Sequence, residues 1–154
     1  TYTKTLMNPS ENIFKPSFIV LDLETTGLDT EQDAIIEIAA IRFTLEKDSE
    51  GNWQAIEKEE KSMLVNPERE LTEEISLITH ITDSMLENKP VWSTIQEKVR
   101  SFIGESVIIG HNVLFDVAML KTHGIDLREN TILDTFELSE LFSSESESLN
   151  LGFL

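Results

Sequence analysis

The chain has 154 residues, enough for one hydrophobic core and within the span of a single domain. It contains no cysteine, which excludes disulfides, thiolate zinc sites and cysteine nucleophiles and agrees with a reducing compartment, so a cytoplasmic location is expected. A formal net charge of −17 argues, by itself, against a nucleic-acid partner, because general duplex affinity comes largely from basic side chains meeting phosphate.

Residues 1–16 are expected to form an N-terminal tail: the stretch from Thr1 to Lys15 is polar, broken by Asn8, Pro9 and Ser10, and has no signal-peptide pattern. No apolar run is long enough to span a bilayer, so no membrane partner is expected. Residues 17–24 read as a first, fully buried strand whose end carries Asp22 and Glu24. Side chains two apart leave the same face of a strand. Two adjacent anions in a low-dielectric site need a cation, or one of them protonates. Hard divalent ions bind clustered carboxylate oxygens readily, which points to magnesium or manganese. The alternative is that both acids project into water, one capping the Thr25-Thr26-Gly27 turn; the short motif alone leaves both readings open.

A second strand is expected at residues 34–45, a turn at 46–52 and a third strand at 53–65, ended by Asn66-Pro67. Thr72 fits the N-cap of a short helix through Ile78, and Thr82 or Asp83 that of another turn at 84–86. Pro90 opens an amphipathic helix with Trp92, Ile95, Val99 and Phe102 at helical spacing, where Trp92 reads as core and not as a base-stacking platform. Residues 107–109 form a short apolar strand, followed by the Gly110-His111-Asn112 turn and a helix with Asn112 as its N-cap. One acid in that helix is out of place. The helical neighbours of Asp116 are Asn112, Val113, Met119 and Leu120, and an acid on such a face is expensive to bury without a charge, a donor or a metal. A third carboxylate converging on Asp22 and Glu24 accounts for it. Residues 131–133 form another short apolar strand, with Asp134 as the N-cap of a helix through Leu141; both short runs lead into helices, as parallel strands do. Residues 143–148 read as an acidic, serine-rich loop. His80 and His123 are assigned to the surface or to packing, and His111 to the lining of the site, with a hydrogen-bonding structural role as its alternative. The acidic runs 46–61 and 137–147 read as solvated faces or loops.

These segments together resemble the DEDD superfamily of 3′-to-5′ exonucleases, histidine subtype, which includes the epsilon proofreading subunit of bacterial DNA polymerase III. Asp22-Leu23-Glu24-Thr25-Thr26-Gly27-Leu28 is similar to its first motif and Gly110-His111-Asn112-Val113-Leu114-Phe115-Asp116 to its second. Ile35-Ile36-Glu37-Ile38-Ala39-Ala40-Ile41, Leu64-Val65-Asn66-Pro67, His80-Ile81-Thr82 and Leu133-Asp134-Thr135 resemble connecting phrases, in order. The resemblance implies a ribonuclease H-like α/β fold, a mixed five-stranded sheet flanked by helices, over residues 17–154. It implies hydrolysis of phosphodiester bonds at DNA 3′ ends, single-stranded ends preferred, by two magnesium or manganese ions. Asp22 would bridge the ions, Glu24 ligate one directly, and Asp116 act directly or through a water. By the same resemblance Thr25, Thr26, Gly27 and Leu28 would hold the terminal nucleotide, with His111, Asn112 and Phe115 lining its pocket.

The family's third motif supplies a histidine general base and a fourth carboxylate on a helix beyond a Ser-Leu-x-Leu phrase. Ser148-Leu149-Asn150-Leu151 resembles that phrase, and only Gly152-Phe153-Leu154 follows it. The domain is therefore expected to be incomplete at its C-terminus and impaired as an isolated fragment. The proofreading or repair setting implies a polymerase or helicase, in trans or fused, as partner. The alternative from a different class is a non-catalytic module that binds a DNA end or a protein through the same cleft.

Overall fold

The computed structural model describes residues 16–142. The expected tail before Pro16, the acidic loop at 143–148 and the phrase at 148–154 lie outside the described residues. The strands are β1 (Ser17–Thr25), β2 (Ile35–Lys47), β3 (Trp53–Leu64), β4 (Val107–Gly110) and β5 (Ile132–Asp134), and they form one mixed sheet in the order β3-β2-β1-β4-β5. β1, β2 and β3 pair antiparallel through short connections, whereas β4 and β5 run parallel to β1, as their short apolar runs suggested.

The helices are α1 (Glu73–Thr79), α2 (Asp83–Leu86), α3 (Trp92–Ile103), α4 (Leu114–Thr122) and α5 (Thr135–Phe142). Thr72 caps α1 as expected, its hydroxyl accepting from Ile75 N. The 3.6-residue period of α3 carries Ile95, Val99 and Phe102 onto Ile19, Leu21, Leu23 and Ile38, and Met119 and Leu120 of α4 join the same core. Burying each such aliphatic side chain contributes about 1.5–3 kcal/mol. Trp92 packs edge-on to His123 and donates its indole N–H to His123 O at 2.7 Å, a structural role in agreement with its helical spacing. His80 lies exposed at the end of α1.

Two expectations need correction. β1 is not buried on both faces: Val20 is 39% exposed and Asp22 is exposed as well. Among the described residues, α3 and α4 pack on the side bearing Ile19, Leu21 and Leu23, and a continuous apolar run cannot reveal which face lacks cover. Nor is Asn112 the N-cap of α4. It adopts left-handed φ of 56°, a conformation asparagine tolerates better than most residues, and Val113 takes the cap position without a side-chain bond. The capping acceptor comes from Asp134, 7% exposed at the end of β5. Its Oδ1 accepts from Asn112 N and its Oδ2 from Val113 N, both at 2.9 Å. Oδ1 also accepts from Phe136 N at 2.9 Å, so Asp134 caps α5 as expected while holding the turn before α4.

Candidate active site

β1 and β4 run parallel and end side by side, with Val20 opposite Ile109, so both motifs emerge at one edge of the fold. Asp22 and Glu24 leave β1 on the side opposite Leu21 and Leu23. A register shift follows at Glu24/Thr25: Glu24 pairs with Glu37 but Thr25 with Ile35, leaving Ile36 as an extra residue on β2. Such a bulge re-aims the chain where a strand enters a site. Beyond Val20 no further β1–β4 residue pairs are formed. There Asp116, in the first turn of α4 and 6% exposed, reaches across, and its Oδ1 accepts from Leu23 N at 2.9 Å. The third carboxylate thus binds the backbone between Asp22 and Glu24.

Electrostatics couple Asp116 to Asp22, and Asp22 to Glu24. Burial pushes Asp116 from 3.8 up to about 7, with the Asp22 charge adding to it and the Leu23 N–H working against it. Partial desolvation raises Asp22 at the mouth of the site, helped by the charge of Glu37. Glu24 is raised by burial and then by Asp22 and Glu37. Hard oxygen donors that oppose each other's ionisation are the donor set a divalent cation fits. The described residues hold no ready-made cage of three His, Asp or Glu side chains.

The turn after β1 is tightly bonded. Thr25 Oγ1 donates to Gly27 O at 2.7 Å; Thr26 Oγ1 donates to Asp33 Oδ1 at 2.8 Å and accepts from Ala34 N at 3.0 Å and from Arg69. Hydroxyl contact with a sugar would therefore compete with bonds that hold the turn. A Cβ on Gly27 would lie 2.4 Å from Asp33 Oδ2, so only glycine admits this carboxylate. Leu28 projects into solvent, 84% exposed. An open cleft of ≈ 510 Å³ runs from Glu24 and this turn to Phe115 and to Ile75, Ile78 and Thr79 of α1. The α1 wall was not foreseen. Its signal is the exposed Leu77-Ile78 pair in a short helix.

His111 and Asn112 lie beside the centre, on the turn that leads to Asp116. Thr135 Oγ1 donates to Gly110 O at 3.1 Å and so offers a lone pair to His111 Nδ1, also at 3.1 Å. That pattern assigns the neutral imidazole's proton to Nδ1 and leaves Nε2 as an acceptor. The ring packs edge-on against Phe136. Glu37, which the motifs do not single out, adds a fourth carboxylate to the Asp22 and Glu24 field.

The model of the RNase T exonuclease family matches residues 19–154. The chain belongs to this exonuclease family. Its curated relatives include the PolC-type DNA polymerase III of Staphylococcus saprophyticus, 35% identical over 142 residues, covering 90% of this chain and 9% of that polymerase. The same enzyme of Staphylococcus aureus is 32% identical over 151 residues, 95% of this chain and 10% of that one. The chain thus spans about a tenth of the length of the curated relatives it matches. Among solved structures, Escherichia coli exonuclease I in complex with a dT13 oligonucleotide superposes with a TM-score of 0.70 at 21% identity, over 91% of this chain and 35% of that one. Exonuclease X in complex with 5′ overhanging duplex DNA superposes with a TM-score of 0.60 at 23% identity, over 85% and 68%. The exonuclease domain therefore has the ribonuclease H-like architecture expected of it, with both motifs at the C-terminal ends of the neighbouring inner strands β1 and β4.

Proposed function

We propose that this domain removes nucleotides hydrolytically from DNA 3′ ends, using divalent cations held by Asp22, Glu24 and Asp116. The observation that carries this reading is the Asp116–Leu23 hydrogen bond, which ties the second motif's acid to the backbone between the two acids of the first. When bound, a pair of magnesium or manganese ions supplies Lewis-acid activation of water and neutralises charge on the leaving 3′ oxygen. The chain's own residues do the positioning. Leu23 N orients Asp116, and the β1–β2 register places Glu24 opposite Glu37 just before the bulge at Ile36. Leu28, Ile75, Ile78 and Phe115 offer apolar surface on which bases can pack. His111 presents Nε2 as an acceptor from the motif turn. Holding the scissile phosphate through cations and a few terminal nucleotides through the cleft also reconciles DNA as substrate with a net charge of −17.

The relatives named PolC-type polymerase support a place beside or within a DNA polymerase, and the complexes of exonuclease I with a dT13 oligonucleotide and of exonuclease X with 5′ overhanging duplex DNA support DNA as the substrate; single-stranded 3′ ends are the preference we propose. The test is a 5′-labelled single strand incubated with manganese, alongside a strand whose 3′ end is blocked. Stepwise shortening of the first, sparing of the blocked strand and arrest by EDTA are expected. Binding without shortening under any cation would favour a non-catalytic module for DNA ends.

A further inference from the structure

We infer that Glu37 is a positioning residue for the cation centre, one whose charge strengthens divalent-cation binding by Asp22 and Glu24; this rests on the metal reading of that centre. Glu37 interrupts an otherwise apolar run, Ile35-Ile36 before it and Ile38 after it. The register sets it directly opposite Glu24, while Asp22 faces Ala39, so Glu24, Glu37 and Asp22 share one side of the sheet. Like charges directly opposite each other weaken an antiparallel pair, and a β-branched residue would suit this position better. None of the ion pairs among the described residues includes Asp22, Glu24 or Glu37. The carboxylate is nevertheless held in place: Ser62 Oγ on β3 donates to Glu37 Oε1 at 2.8 Å, on the side of the sheet that Glu37 shares with Asp22 and Glu24. A strand that keeps an anion where its own stability disfavours one is relieved when a cation binds.

The inference predicts two changes of opposite sign in Glu37→Gln, which retains the acceptor for Ser62. Manganese affinity, measured by calorimetry on the whole chain, should weaken about tenfold, the scale on which a neighbouring unit charge acts on a divalent ion in a water-like dielectric. The melting temperature in EDTA should rise. Ser62→Ala should weaken manganese binding less, by loosening the carboxylate without removing its charge, and Glu24→Gln should weaken it more. Affinity within twofold of the native chain, or a lower melting temperature in EDTA, would overturn the inference and leave Glu37 a structural residue. Absence of manganese binding in the native chain itself would instead overturn the reading of the centre, and the inference with it.

Discussion

Asp116→Asn isolates the cost of the buried charge. Asparagine keeps the shape and an oxygen for the Leu23 N–H, now bonded at 2.9 Å, while removing the anion that burial and the charges of Asp22 and Asp134 oppose. Displacement of the carboxyl from 3.8 to about 7 means that above pH 7 the folded chain carries an anion disfavoured by roughly 4 kcal/mol relative to the unfolded chain. The sign follows from proton counts. Between about pH 4 and pH 7 the folded state holds a proton that the unfolded state has released, so this group's destabilisation grows as pH rises through that window and then levels off. Exchanging a charged acceptor for an amide returns about 1 kcal/mol of that gain. The variant should therefore be more stable than the native chain by about 2–3 kcal/mol at pH 8 and by about zero at pH 4. Urea unfolding in EDTA, followed by tryptophan fluorescence at pH 4, 6 and 8, measures it. Because 29 acidic residues titrate together, the quantity to compare is the difference between variant and native chain at each pH. A difference that does not change with pH, or a variant less stable at pH 8, would refute the reasoning.

Other outcomes follow from the same geometry. Asp134→Ala removes the acceptor of three backbone N–H groups and should cost about 2–4 kcal/mol in urea unfolding, while a loss below 1 kcal/mol would mean that water replaces the cap. Gly27→Ala places a Cβ 2.4 Å from Asp33 Oδ2; displacement of the turn should raise KM for a 3′ end several-fold with less effect on kcat, as steady-state kinetics would show. The slope of log affinity for a single strand against log salt should be shallow, equivalent to about one to three phosphates, whereas a slope of six or more would reveal a basic surface this chain does not show. Saturating manganese should raise the melting temperature of the native chain and leave that of Asp22→Ala almost unchanged, because only a ligand of the folded state stabilises it.

The site's core was legible where one local rule sufficed. Period two places Asp22 and Glu24 on one side of β1, and the apolar helical neighbours of Asp116 mark it as an acid in need of a partner. Asn112 was misread because asparagine suits both an N-cap and a left-handed turn, and the choice was made by Asp134, 22 residues away. The partial cover of β1 depends on which helices return to which face, which an apolar run does not encode. Glu37 passed unremarked within a connecting phrase; its meaning required the register that sets it against Glu24 and the bulge at Ile36. The α1 wall likewise required the tertiary approach of Ile75 and Ile78 to the turn after β1.

In the proposed function, Asp22, Glu24 and Asp116 form one cation-dependent hydrolytic centre. The most direct test is nucleotide release from a 3′-labelled single strand, measured for the native chain and for Asp22→Asn, with manganese and with EDTA. Release by the native chain with manganese alone is expected, with a loss of about 10²–10³-fold in Asp22→Asn, the order set by removing one element of transition-state charge stabilisation. Equal release by the variant, or release that survives EDTA, would contradict it.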